Sequence, residues 1–175
     1  MTNGQAGTFG LKGPALQRRR RSFVEKYVSA KLHGIRVTGS KLNYHGSITI
    51  DAEFCRAVGI KPLEYVDIWN KMSGARISTY VLYGDPGSRC CILNGAAART
   101  CQEGDEIIIA SSVFCDVQDI IQRNPQVLVF GENNELVDHL CYEVFHDDHG
   151  ILNMRVTGAR HPEAYGFPPS LTRDA

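Results

Sequence analysis

The stretch Tyr44-His45-Gly46-Ser47 lies between two runs with strand-like patterns, residues 31–38 and 48–51. A Gly-Ser pair between strands ordinarily forms a turn, because glycine adopts backbone conformations that other residues avoid and serine caps the turn. A second interpretation is chemical, since the Ser47 hydroxyl can attack the unhindered carbonyl of Gly46. Attack would turn this amide into an ester, and β-elimination would leave an α-keto (pyruvoyl) group at residue 47. These four residues alone leave both interpretations open.

Length and composition predict one globular domain. The chain has 175 residues, of which 43% are hydrophobic, enough to bury most of what the unfolded chain exposes. Its 19 acidic and 19 basic residues balance, so no general attraction to nucleic acid or acidic membranes is expected. No apolar run approaches the roughly 18 residues that span a bilayer, and the first residues lack a hydrophobic signal core. We therefore predict a cytoplasmic protein that does not contact a membrane.

Both ends of the chain differ in composition from the middle. Residues 1–22 have no acidic residue and end in a run of four arginines, 18–21, so they are predicted to be a disordered basic arm. A nucleic-acid contact and a transit peptide are the alternatives, but a solvated arm is favoured. Residues 145–175 lack a sustained period and are predicted to be a flexible tail. Its donors at 146–149 could bind a metal ion, but solvated side chains are favoured, so no metal site is predicted.

Between these ends, residues 23–144 predict a mainly β domain with short helices. Short β-branched and aromatic runs alternate with tight turns, which is typical of a small barrel. Asp51 is a good N-cap for a helix over residues 52–58, and Gly59 is a natural stop. Asn94 could cap a helical turn at 94–99. Residues 116–123 fit a helix or a loop, and residues 136–144 are ambiguous.

The six cysteines lack CxxC spacing and mostly lie among apolar residues. In a chain of this size with no secretion signal, buried reduced thiols are favoured over disulfides.

At this point the residues match a known family. Blocks in the family's order and spacing cover about residues 28–140, and they resemble the pyruvoyl-dependent aspartate decarboxylases. Seven blocks in register make the match specific. The blocks are Lys31-Leu32-His33, Tyr44-His45-Gly46-Ser47, Asp67-Ile68-Trp69-Asn70, Arg76-Ile77-Ser78-Thr79-Tyr80, Gly87-Ser88-Arg89, Asn94-Gly95-Ala96-Ala97-Ala98 and Gly104-Asp105-Glu106-Ile107-Ile108-Ile109-Ala110.

The resemblance implies a double-psi β-barrel that assembles as a homotetramer with active sites between neighbouring subunits. It also implies that the precursor cuts itself between Gly46 and Ser47, which leaves a covalent pyruvoyl cofactor at position 47. Some family members need a helper protein to mature. His45 departs from the family, since an acidic residue is common at this position, and the resemblance therefore does not carry over the family's processing rate or pH dependence.

The chemistry of decarboxylation explains why each of these residue types would be needed. Removing CO2 from an amino acid leaves a carbanion that needs an electron sink, which an α-keto group provides and no ordinary side chain does. Aspartate has two carboxylates, and the planar fork of Arg76 can bind one of them in a bidentate manner. By resemblance, Lys31 is a second cation near the substrate. Tyr80 is the implied proton donor, since a phenol can act as a general acid. Each of these residues would otherwise be read as an ordinary surface charge or strand aromatic.

Further site residues rest on the resemblance. Thr79 resembles the residue that hydrogen-bonds near the cleavage carbonyl and the substrate. The side chain of Asn94 and the backbone N–H groups of Gly95, Ala96 and Ala97 are implied to cradle the substrate, and small side chains there allow close approach. His33 and Tyr44 are also implied to lie near the site, without a firm role.

The expected function is decarboxylation of L-aspartate to β-alanine and CO2, which feeds pantothenate and coenzyme A synthesis. One alternative is a pyruvoyl decarboxylase that acts on another acidic amino acid. A second is a double-psi barrel that never matures and binds a ligand or a protein partner. The joint presence of Ser47, Thr79, Tyr80 and Asn94 argues against the second alternative, because a scaffold has no use for that polar set.

Overall fold

The computed structural model of the protein describes residues 23–158. It is built mainly of strands, with two short α-helices and one 3-10 turn. In chain order the elements are β1 (Glu25–Arg36), β2 (Gly39–Lys41), β3 (Ser47–Asp51), α1 (Ala52–Val58), β4 (Tyr65–Asn70), β5 (Arg76–Gly84), β6 (Cys91–Asn94), the 3-10 turn (Gly95–Arg99), β7 (Glu106–Cys115), α2 (Val117–Arg123), β8 (Gln126–Phe130), β9 (Leu136–His146) and β10 (Leu152–Gly158).

The strands form one mixed sheet in the order β10-β9-β8-β1-β7-β4-β5-β3-β6-β2. Three pairs are parallel, namely β1 with β8, β3 with β5, and β2 with β6, and their other neighbours are antiparallel. Parallel strands cannot be joined by a tight hairpin, so these pairs require the chain to cross over. The mainly β prediction is confirmed, and this mixed pairing is the one expected of a double-psi β-barrel.

Alternation along the strands directs one row of side chains into a single core. In β1, Ala30 and Leu32 are buried, whereas Lys31 and His33, which alternate with them, are half-buried on the outer face. The core is dominated by β-branched and leucine side chains, with Phe54 of α1 packed edge-on against Phe130 of β8 at 4.7 Å between ring centroids. A close-packed core of this kind holds the strands, and therefore the residues on the outer face, in fixed register.

Helix α1 begins at the cap that the sequence predicts, and helix α2 begins at a cap that was not named from the sequence. The Asp51 side chain accepts a hydrogen bond from the backbone N–H of Glu53, and Gly59 ends α1 in the left-handed conformation. Asp116 caps α2 in the same way, by accepting from the N–H groups of Gln118 and Asp119. Residues 117–123 therefore form a helix, and residues 136–144, ambiguous from sequence, form most of strand β9.

The flexible tail predicted from residue 145 is wrong for its first part. β9 continues to His146, and β10 pairs with it from Leu152 to Gly158. Asp147 closes the turn, because its Oδ1 accepts hydrogen bonds from the N–H groups of His149 and Ile151, both at 2.9 Å. The remainder of the predicted tail, and the predicted basic arm at 1–22, lie outside the described residues.

All six cysteines are free thiols, in agreement with the prediction of reduced cysteines. Four are buried, and burial raises the pKa of Cys55 to about 12. Within residues 23–158, no helix is long and apolar enough to cross a membrane, and no group of three metal-ligating side chains is placed to hold an ion.

Candidate active site

The junction of Gly46 and Ser47 is strained. The turn before β3 delivers Gly46 at φ 87°, and Ser47, the first residue of β3, has φ 129°. Glycine tolerates a positive φ, but a serine in that range is uncommon and costs conformational energy. The Ser47 side chain is also completely buried, so its hydroxyl is held in place rather than solvated. The chemical interpretation of the sequence linked attack of the Ser47 hydroxyl on the Gly46 carbonyl to a strained backbone, and the Gly46–Ser47 segment is strained.

Tyr80 contacts the carbonyl of this same peptide bond. Its hydroxyl donates a hydrogen bond to the Gly46 oxygen at 3.3 Å. The contact follows from strand register, since β3 runs parallel to β5 from the pair Ile48 and Val81 onward. The residues just before these, Ser47 and Tyr80, therefore arrive side by side. A phenol on the carbonyl oxygen polarises the carbon that the serine would attack.

Asn94 contacts the other side of Ser47. It lies directly opposite Ser47 in the antiparallel pair of β3 and β6. Its Nδ2 donates to the Ser47 Oγ at 2.9 Å and to the Thr49 Oγ1 at 3.0 Å. Asn94 holds the N-cap position of the 3-10 turn, as the sequence suggested, but its side chain makes no capping hydrogen bond, because its amide nitrogen donates to the two hydroxyls of β3.

Gly95 presses against the turn that contains the cleavage candidate. It has φ 62°, and a β-carbon added there would lie 2.6 Å from the nitrogen and 2.7 Å from the Cα of Gly46, and 2.8 Å from the carbonyl oxygen of Tyr44. All three are backbone atoms, so no side chain can yield space. Ala96, next along the 3-10 turn, is exposed and Ala97 is half-buried. The predicted small-residue cradle thus begins in direct contact with the Gly46 backbone.

The two predicted cations are not brought to Ser47 within one chain. Arg76 is exposed at the start of β5, over the Trp69 ring at 5.3 Å. It lies four residues from Tyr80 on the same strand face, which is about 13 Å along the strand. Lys31 on β1 is joined to Ser78 of β5 through paired residues of β7 and β4. Three strand spacings separate Lys31 from Ser78, or roughly 14 Å.

Thr79 lies on the opposite face of β5 from Tyr80. Its directly paired residue is Val66, which is in the core, and paired residues share a face of the sheet. In the described part of the chain the Thr79 hydroxyl makes no hydrogen bond, and Tyr80 is the residue on the Gly46 carbonyl. The predicted role of Thr79 therefore stays a prediction.

Two residues near the site were missed from sequence. Thr49 shares the Asn94 amide with Ser47, and the strand period of two, which puts residues 47 and 49 on one face, was the available signal. Tyr65 of β4 lies 6.1 Å from Tyr80 between ring centroids. Tyr65 and Tyr80 are directly paired across β4 and β5, so their proximity could be predicted only from the register of these two strands.

His33 shares the outer face of β1 with Lys31. Partial burial lowers the pKa of His33, and the positive charges of Lys31 and Lys71 lower it further, while Glu106 opposes them. The imidazole is therefore biased toward its neutral form near Lys31. Of the pair Lys31 and His33, Lys31 is therefore the residue that could bind a carboxylate.

These contacts place a buried serine beside a strained glycyl peptide, with a phenol on its carbonyl and an amide on its hydroxyl. The arrangement, on the wall of a mixed β-barrel, brings together a hydroxyl, a peptide carbonyl and hydrogen-bond donors to each of them. The family model for aspartate decarboxylase matches residues 23–137.

Relatives with that name cover most of the chain. An aspartate 1-decarboxylase of Xanthobacter autotrophicus is 54% identical over 140 residues, which is 80% of this chain and 93% of the relative. One of Methylocella silvestris is 61% identical over 127 residues, covering 73% and 82%. One of Methylobacterium nodulans is 50% identical over 151 residues, covering 85% and 99%. The chain belongs to the aspartate decarboxylase family.

Proposed function

We propose that this protein is a self-processing L-aspartate α-decarboxylase, which releases CO2 and yields β-alanine for pantothenate and coenzyme A synthesis. The observation that carries the proposal is the Gly46–Ser47 junction. A strained, buried serine lies there between the Asn94 amide and a carbonyl bonded to Tyr80. The names of the relatives support aspartate as the substrate.

Maturation would proceed through the residues already in contact. The Ser47 Oγ attacks the carbonyl carbon of Gly46, the C–N bond breaks, and the hydroxyl proton passes to the released amine of residue 47, which gives an ester. Loss of the Cα proton and cleavage of the Cβ–Oγ bond then release Gly46 as a carboxylate. Tautomerisation of the resulting enamine and hydrolysis by one water leave a pyruvoyl group at residue 47 and one ammonia. The Tyr80 hydroxyl is placed to stabilise charge on the Gly46 oxygen in the first step.

The surroundings of residue 47 suit a pyruvoyl group. The glycine at 95 allows the 3-10 turn to approach the Gly46 backbone, which a β-carbon at that position would overlap. Asn94 offers N–H donors, and Tyr80 lies within hydrogen-bonding distance of the same peptide. Once formed, the group supplies the electron sink that loss of CO2 from an amino acid requires.

The chain's own residues would bind the substrate and move its proton. Arg76 lies on the same strand face as Tyr80, and its guanidinium would bind the side-chain carboxylate of aspartate in a bidentate manner. Tyr80 would then donate its hydroxyl proton to the carbon that has lost CO2. Asn94 and the backbone N–H groups of residues 95–97 would hold the other carboxylate during binding.

We propose that Lys31 reaches the site from a neighbouring subunit of a homotetramer. The support is its position, roughly 14 Å from Ser78 across the sheet and on the outer face of the barrel. Site residues of β5 and β3 that alternate with core positions also lie on the outer face. A second subunit could therefore cover them. A closed site would exclude water, which strengthens every charge interaction with the substrate.

We further propose that the enzyme acts in the cytoplasm. The support is the balanced charge and the lack of a long apolar run in the sequence. If the purified chain fails to cut itself, maturation would require a helper protein.

Intact mass spectrometry under denaturing conditions tests the proposal. We expect two chains, residues 1–46 and 47–175, the second lighter by one ammonia than a serine-initiated chain. Ser47→Ala should stay whole and make no β-alanine, whereas the control Ser88→Ala, in an exposed turn, should be cut and active. β-Alanine production by Ser47→Ala would contradict the mechanism, and a panel of acidic amino acids tests the substrate. A whole wild-type chain after warm incubation would favour a helper or a non-maturing barrel.

A further inference from the structure

Thr49 makes a contact that the proposed function has not used. It lies two residues after Ser47 on β3, so the two side chains share the outer face of the strand. The Oγ1 of Thr49 accepts a hydrogen bond from the Asn94 Nδ2 at 3.0 Å, and the Oγ of Ser47 accepts from the same nitrogen at 2.9 Å. We propose that Thr49 is a positioning residue for maturation, an inference that rests on the proposed self-cleavage. It acts by holding the Asn94 amide nitrogen toward the Ser47 oxygen.

The amide of asparagine has two N–H bonds, and this pair of hydroxyls uses both. Asn94 is 2% exposed and Ser47 is 0% exposed, so water does not compete for these atoms. With the second N–H bonded to Thr49, the amide nitrogen is fixed between the two oxygens. Without the Thr49 oxygen, one N–H of a buried amide would lose its partner, and rotation of the amide to find another would withdraw the donor from Ser47.

A donor on the Ser47 oxygen matters at two steps of maturation. In the first, Oγ gives up its proton as it bonds to the Gly46 carbon, so negative charge develops on Oγ before the new bond is complete. In the second, the Cβ–Oγ bond breaks and its electron pair leaves with Oγ, which becomes part of the Gly46 carboxylate. An N–H held toward Oγ stabilises this charge both times.

The contact is separate from the packing of the strand. The core side of β3 is formed by Ile48 and Ile50, both completely buried, and Thr49 is half-buried on the other side. Valine has nearly the shape of threonine, so Thr49→Val removes the hydroxyl with little change in volume. Thr49→Ser keeps the hydroxyl and removes the methyl group, which makes it the matched control.

The experiment is a time course of cleavage in full-length precursor. Uncut wild type, Thr49→Val and Thr49→Ser are purified early and incubated warm, and the fraction cut between residues 46 and 47 is measured by intact mass. We expect Thr49→Val to cut about three- to tenfold more slowly than wild type, the effect of losing one hydrogen bond that acts on the transition state. Thr49→Ser should cut within about twofold of wild type, and thermal unfolding of the uncut chains should be similar.

The outcomes separate this inference from the proposed function. If Thr49→Val cuts at the wild-type rate, or if Thr49→Ser is slowed as much as Thr49→Val, the hydroxyl has no positioning role while self-cleavage still stands. If wild type produces β-alanine without being cut, the proposed cofactor is wrong. Should Thr49→Val fail to fold, Thr49→Ala is compared with Thr49→Ser in the same assay, with the same expected difference.

Discussion

Two glycines meet at the proposed cleavage point, and each is needed there for a different reason. Gly46 has φ 87° with open space where a β-carbon would lie, so its requirement is conformational. Gly95 has φ 62° and also has backbone atoms of Gly46 and Tyr44 within 2.8 Å of that point. Its requirement is steric as well as conformational. The close approach is what places Asn94, the residue before it, opposite Ser47.

Replacing Gly95 by alanine should block cleavage while the barrel still folds. The new methyl group would overlap the Gly46 backbone, so either the turn at 42–46 or the 3-10 turn must move, and the contacts around Ser47 would loosen. We expect cleavage to slow by at least about a hundredfold, as for misplaced reacting groups. Denaturing gels of the purified variant over time give the rate.

Gly74→Ala is the matched control. Gly74 also has a positive φ, 74°, but nothing lies within 4 Å of its added β-carbon. Alanine there should cost about 1 kcal/mol or somewhat more in the free energy of unfolding and leave cleavage intact. Equal cleavage defects in the two variants would mean that backbone strain, and not the contact with Gly46, explains the effect.

Individual site residues differ in how far the sequence could predict them. Ser47, Tyr80 and Asn94 were predicted through resemblance to a family, and in the structure Asn94 contacts Ser47 while Tyr80 contacts the Gly46 carbonyl. That Tyr80 contacts the Gly46 carbonyl depends on the register of a parallel strand pair that is distant in sequence, which no local pattern encodes. Thr49 has no signal of its own except its spacing from Ser47.

At the level of elements, strand β3 is fixed at its far end by a buried carboxylate. Asp51 is 0% exposed and accepts three backbone N–H bonds, from Glu53 at 2.8 Å, Gly87 at 3.2 Å and Arg89 at 2.6 Å. One side chain thus starts helix α1 and holds the turn between β5 and β6. Both strands that flank β3 are therefore connected to its last residue.

Asp51→Ala should destabilise the protein much more than loss of an ordinary helix cap. It removes the buried acceptor of three backbone N–H groups, which we expect to cost about 3 kcal/mol in the free energy of unfolding. Asp116→Ala is the control, since Asp116 caps α2 through two N–H groups in a more exposed position and should cost about 1 kcal/mol. Urea unfolding of both variants measures the difference, and equal losses would show that Asp51 is only a cap.

Elements whose stability comes from burial were predicted, and the hairpin of β9 and β10 was missed. Leu152, Met154 and Val156 alternate with polar residues, which was the available strand signal, but six of the seven residues of β10 are exposed, so this strand has no core-facing side. The hairpin is held instead by pairing with β9, by the Asp147 turn and by Arg155, which donates to Glu143 at 2.6 Å and 2.9 Å. Those contacts depend on cross-strand partners that composition does not reveal.

At the scale of the whole molecule, the two predicted cations lie far apart on the outside of one barrel. Arg76 shares a strand with Tyr80, whereas Lys31 is three strands away from that strand. If each site combines Arg76 of one subunit with Lys31 of a neighbour, variants of the two residues should complement each other. Symmetric assemblies with sites at their interfaces behave in this way.

Lys31→Ala and Arg76→Ala should each lose most decarboxylase activity. Co-expression of the two in one cell should restore up to about one quarter of wild-type activity, because random mixing gives that share of sites two intact residues. β-Alanine formation per cleaved chain is the measurement, and each variant expressed alone is the control. No recovery in verified mixed assemblies would mean that both residues act within one chain.

The position of β3 has a consequence for the life of the molecule after the proposed cut. Residues 1–46 contribute β1 and β2, and β1 lies in the middle of the sheet between β7 and β8, which belong to the other product. The two fragments would stay interleaved as long as the barrel is folded. Once unfolded, however, they would have to find each other again by diffusion, so refolding would become a second-order process. The chain could therefore fold as a single polymer only before the cut.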